Sequence, residues 1–177
     1  GWREAGQTVL ILGYSPLLFG DMAQLDAPTV FLTAYDCDVC TTGRDALTER
    51  PALVWLVSAA GVSAAEWLHR EYDVPVVRSL PLGDAGRTAW RAEIASVLGL
   101  PIEGASVEQT AGDPRADKIL IIADPIAAAA IDRLFRAYGF RNIRCAAYAW
   151  DEETAALYRQ ADGADLLIFR TAVELQP

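Results

Sequence analysis

The chain has 177 residues, 53% of them apolar and 22% charged, which excludes a disordered polypeptide. No apolar run approaches the ~18–20 residues of a membrane span. The net charge of −9 and a single lysine, Lys118, exclude a nucleic-acid groove as well, so neither nucleic acid nor membrane is an expected partner. Three cysteines make no disulfide framework, which together with the absence of a signal peptide before the first strand predicts a cytoplasmic setting.

Strands and helices alternate along the chain. Residues 8–12 read as an apolar strand ending in the turn Gly13-Tyr14-Ser15-Pro16. A short helix is predicted over 19–25, broken by Ala27-Pro28. The β-branched and aromatic residues Thr29, Val30, Phe31 and Thr33 predict a second strand over 29–33. It empties into the loop Ala34-Tyr35-Asp36-Cys37-Asp38-Val39-Cys40, and a helical turn is predicted over 42–48. Residues 53–57 form a short unbroken apolar run, which suits a parallel strand covered on both faces. Ser58-Ala59-Ala60-Gly61 then lets backbone pass close to whatever lies above the sheet edge. Ser63 and Glu66 have capping-box spacing, so a helix is predicted from Ser63 to about Tyr72. A further buried strand precedes the Pro81-Leu82-Gly83 loop, and a helix over 87–98 with Gly99 as its C′ residue closes the unit.

Residues 101–116 are rich in Pro, Gly, Glu and Ser and read as a linker between a first unit, 1–100, and a second, 117–177. The second unit opens with a strand over 118–122. Asp124 is then an N-cap with Pro125 at the first helical position. Ile126, Ala130, Ile131, Leu134, Phe135 and Tyr138 recur at helical spacing up to Gly139. A strand over 143–147, a helix over 151–161 and a strand over 166–169 complete it. Strand-helix-strand units of this length demand parallel pairing through right-handed crossovers. The fold class is therefore α/β: two small doubly wound Rossmann-like units with parallel sheets. The second is expected to be incomplete, because the chain stops just past a strand, as a cut piece of a larger polypeptide would. Residues 9–16 and 119–125 echo each other as apolar strands entering a small-residue turn with proline.

In open α/β sheets ligands bind at loops leaving the carboxyl ends of strands. Tyr14, Ser15, Ser58, Gly61 and Gly83 fall in such loops and are the candidate cofactor-binding residues. Gly83 and Gly86 would cradle an anion where a helix begins near Arg87. Cys37 and Cys40 are the candidate metal ligands, since two thiolates at this spacing chelate zinc or two corners of an iron-sulfur cluster, or form a redox disulfide. Ordinary reduced thiols are the competing reading. Asp36 and Asp38 raise the thiol pKa by like-charge repulsion, and the remaining soft donors are Cys145 and His69. Cys145 reads as a core residue, His69 as a solvated imidazole, Asp124 as a cap, and Trp55, Trp67 and Trp90 as core or interface. There is no GxGxxG, no Walker-type glycine-lysine pair and no Ser-His-Asp set, so no catalytic residue is assigned.

Three stretches taken in order carry a family resemblance. They are the strand and turn VLILGYSPLLFGD at 9–21; Ala65-Glu-Trp-Leu68 with Tyr72-Asp-Val-Pro75 and Pro81-Leu-Gly83; and the strand and helix over 118–139. Together they resemble the central part of nitrogenase component 1-type oxidoreductase subunits. That group includes nitrogenase molybdenum-iron protein subunits, their cofactor-assembly scaffolds and dark-operative protochlorophyllide reductase subunits. The resemblance implies nitrogenase-type, chelatase-like α/β domains around a metal-cluster or cofactor cavity. It also implies an iron-sulfur or related cluster in the parent protein, a second nitrogenase-like subunit, and an ATP-dependent iron protein as reductase. Catalytic nitrogenase subunits hold their cofactor through a cysteine just after the strand matching 53–57. Ser58-Ala59-Ala60-Gly61 stands there in this chain, which points to a non-catalytic partner, an assembly-scaffold relative or a nitrogenase-like oxidoreductase. The fragment itself is expected to hold no cofactor and to be inactive. The alternatives are a metal- or ligand-receptor binding module of similar fold and a stand-alone response-regulator-like or flavodoxin-like interaction domain.

Overall fold

Strand β1 (Thr8–Leu12) is buried at all five positions, as an apolar strand with neighbours on both sides must be. In the computed structural model, residues 7–15, 26–41, 49–101, 115–147 and 163–170 are described. Beside β1 lie β2 (Asp38–Thr41), β3 (Leu53–Leu56) and β4 (Val76–Val77), in the order β2-β1-β3-β4 with every pair parallel. The direction of strand addition reverses between β1 and β3. Their carboxyl ends therefore form a topological switch point, the place where such sheets bind ligands.

The strand expected over 29–33 is a helix, α1 (Asp26–Thr33). Pro28 does not break it, because it sits in the first turn, where a missing N–H removes no intrahelical bond. Pro28 and Leu32 are buried while Val30 is 65% exposed, a pattern a strand cannot give, because it would place all three on one face. Thr33 supports the helix by donating its hydroxyl to the carbonyls of Thr29 and Val30, both at 3.1 Å. Tertiary packing has overridden β propensity here. As a result β2 lies further along the chain, inside the stretch expected to be a loop.

Helix α2 (Val62–Tyr72) follows a 3-10 turn at Ala59–Gly61. The expected capping box at Ser63 is not made: the N-cap is Gly61, with no side-chain cap. The turn runs straight into the helix, with the Val62 N–H bonded to the Ala59 carbonyl, so Ser63 already lies inside. Ala65 and Leu68 are the buried residues of α2. Helix α3 (Gly83–Leu98) begins at Gly83 rather than Arg87, with Asp84 in its first turn, where a carboxylate complements the helix dipole. Trp55 of β3 and Trp90 of α3 are the largest buried side chains, their ring centroids 4.9 Å apart, and Phe31 of α1 stands edge-on to Trp90 at 5.6 Å. The Trp55 indole donates to the Ser79 carbonyl at 2.7 Å. These rings tie α1, β3 and α3 into one core, which accords with the core reading of both tryptophans. Trp67, by contrast, is 44% exposed.

A second sheet holds β5 (Arg115–Ala123), β6 (Phe140–Ala147) and β7 (Leu166–Arg170), in the order β6-β5-β7, again all parallel. Both β5 and β6 start earlier than expected, with an irregularity in their pairing between Arg115 and Lys118. Helix α4 (Pro125–Ala137) links them and buries Ala127, Ala128, Ala130 and Ile131. As predicted, Asp124 caps it by accepting from the Ile126 N–H at 2.9 Å, with Pro125 following. Leu120, Ile122 and Ala146 form a small apolar cluster with Ala164 packed against it.

The chain divides into two compact units, Gly1–Ser79 with Trp90–Gly104, and Leu80–Ala89 with Ala105–Pro177. The architecture is α/β with parallel sheets and helices in a doubly wound, Rossmann-like arrangement. The helices expected over 19–25, 42–48 and 151–161, and positions 102–114 of the expected linker, lie outside the described residues. Among the described residues no helix is long and apolar enough to cross a membrane.

Candidate functional site

Two turns leave the switch point side by side, and they are locked together by backbone. The ladder continues past the strand ends, with the Val57 N–H bonded to the Leu12 carbonyl at 2.9 Å. Ser58, 1% exposed, donates its hydroxyl to the Gly13 carbonyl at 2.6 Å, and its own carbonyl accepts from the Gly61 N–H at 3.2 Å. Gly13 has φ +80°, and a Cβ there would come within 2.6 Å of Ser58 Oγ and 2.7 Å of Ser58 O. A Cβ on Gly61 would come within 2.7 Å of the Gly13 nitrogen and 2.9 Å of the Leu12 carbonyl carbon. Both positions need glycine, the first for conformation and contact, the second for contact alone.

The structure thus brings Ser58 and Gly61 together with Gly13, and places Tyr14 and Ser15 immediately beyond, both half-buried. Ser58 acts here as a latch: its proton is committed to Gly13, and the side chain is closed off from the surface. Tyr14 and Ser15 continue the first of the two turns at this edge. Gly13 is the central residue that the sequence reading passed over. The weak echo between residues 9–16 and 119–125 marked its turn, but its contact with Ser58 depends on the register between β1 and β3. A Ser-His pair has no basis at this edge. The chain's one histidine, His69, sits in the last turn of α2 with Nδ1 3.0 Å from the Val74 carbonyl.

Gly83 is not part of this cluster. It opens α3 with φ +65°, and a Cβ there would collide with the end of the Leu134 side chain. It groups with the second compact unit. A helix-start turn and close packing account for glycine at this position.

Cys37 falls at the other end of the first sheet and Cys40 in its middle. Helix α1 ends in a Schellman motif: Asp36 takes the left-handed conformation at φ +56°, and the Cys37 N–H returns to the Leu32 carbonyl at 3.1 Å. Cys37 is therefore the apolar residue that closes the cap, 2% exposed beside the fully buried Leu32. Its thiol donates to Gln7 Oε1 at 3.4 Å, which sets it level with the residue before β1. Gly13 is six positions beyond Gln7, so at the rise of a strand the thiol lies ~20 Å from the switch point. Cys40 stands within β2, paired with Leu10, whereas Cys37 precedes the strand, in the cap of α1. The expected loop presenting both sulfurs at a strand's carboxyl end is not formed. Burial, and then the carboxylates of Asp36 and Asp38, push the Cys37 thiol above its ordinary pKa. Cys37, Cys40 and Cys145 form no disulfide. Cys145 is exposed rather than a core residue, because it lies on the outer strand β6. Among the described residues no group of three or more His, Cys, Asp or Glu side chains could hold a metal ion. These residues do not fit an iron-sulfur cluster.

A hollow of about 560 Å³ lies in the second unit, at the amino-terminal ends of β5 and β6, with Lys118, Arg141, Asn142, Arg144 and Gly163 on its wall. Asn142 is tied into the fold by donating to the Ala116 carbonyl at 2.9 Å. This is the sheet end away from strand-end ligand sites. Comparison of the chain with protein-family models gave no match, and comparison with curated proteins gave no significant one.

Proposed function

We propose that this chain is part of a nitrogenase component 1-type oxidoreductase subunit, to which it contributes cavity wall rather than cluster ligands. The observation that carries the reading is the switch point of the first sheet. Two turns pack there backbone to backbone through Gly13, Ser58 and Gly61, and leave Tyr14 and Ser15 at the rim. Such an edge is suited to pressing close against a bulky group supplied from elsewhere, and the residues that build it carry neither thiolate nor imidazole. The motifs behind the resemblance support the reading through their structural positions. Ala65 and Leu68 are the buried residues of α2, the Pro75 carbonyl accepts from the Val54 N–H at 2.9 Å between β3 and β4, and Gly83 opens α3. On this reading the parent protein is cytoplasmic, pairs with a second nitrogenase-like subunit and receives electrons from an ATP-dependent iron protein. The metal centre would perform the low-potential reduction.

The test is anaerobic purification of the protein from its full reading frame, with iron and sulfide analysis and identification of co-purifying chains. A coloured protein carrying iron and sulfide, together with a second subunit of the same architecture, is the expected result. A colourless, iron-free protein that purifies alone would overturn the proposal. Binding of a small ligand by that lone protein would move it to the receptor-module class.

A further inference from the structure

No further inference is drawn: the strongest candidate, the hollow at the amino-terminal ends of β5 and β6 with Lys118 and Arg141 on its wall, carries nothing because nothing in the structure shows what covers it.

Discussion

The central strands of the two sheets, β1 and β5, are built alike and end differently. Val9 to Leu12 and Ile119 to Ala123 are all at most 4% exposed, and each lies between two parallel neighbours. Beyond β5 the chain turns at once into a helix, and one side chain, Asp124, satisfies the first free N–H, that of Ile126. Beyond β1 the turn instead rests on the backbone of its neighbour, through two glycines and a buried serine. A cap is local and replaceable. A backbone-to-backbone contact couples two strand ends and tolerates no added atom.

That contrast can be broken by substitution, and urea unfolding followed by tryptophan fluorescence is the measure. Gly13→Ala combines a left-handed conformation with collision against Ser58, and is expected to cost about 3 kcal/mol or more. Gly61→Ala meets only the collision, but with backbone that cannot swing aside, for about 2 kcal/mol. Ser58→Ala leaves the Gly13 carbonyl without its buried donor and should cost about 1–2 kcal/mol. Asp124→Ala removes a cap worth about 1 kcal/mol. If Asp124→Ala proves costlier than Gly13→Ala, the contrast between the strand ends is reversed.

The smallest effect concerns the far end of the first sheet. The raised Cys37 pKa means that the unfolded chain loses this proton first as pH rises. The contribution of the neutral thiol is therefore intact below the ordinary thiol range and is lost as pH climbs through the folded value. Urea midpoints of the wild type should decline more steeply between neutral and alkaline pH than those of Cys37→Ala. Cys145 is exposed as a residue, but its thiol lies partly shielded against the Ala128 carbonyl and is raised chiefly by that desolvation, so it leaves a residual slope in both proteins. Parallel curves would mean that Cys37 is not held neutral by its surroundings.

Elements whose signal is local were legible in the residues. The apolar runs of β1 and β3, and the Asp124-Pro125 start of α4, announce themselves in a few positions. Elements decided by the rest of the fold were not. Residues 29–33 have strand composition, yet Pro28 and Leu32 pack as one helical face. Strand β2 is short and only partly buried, so DVCT carries no alternation to read. Asp36 ends α1 where glycine is the usual sign. The same limit applies to the site. Small residues after β1 and β3 indicate a close approach, but that Ser58 latches Gly13 follows only once the strands are in register. Spacing alone suggested a chelating pair in Cys37 and Cys40; that Cys37 closes the cap of α1 while Cys40 lies within β2 could not be read from it.

The buried Trp55–Trp90 pair gives the first unit an optical gauge of its own. Two indoles 4.9 Å apart couple their excited states, so their circular dichroism reports directly on whether β3 and α3 remain packed. Their emission should differ as well. Trp55 donates to the Ser79 carbonyl, whereas the Trp90 Nε1 is buried without an acceptor among the described residues. Removing either ring would silence the coupled signal while sparing the spectrum of the other.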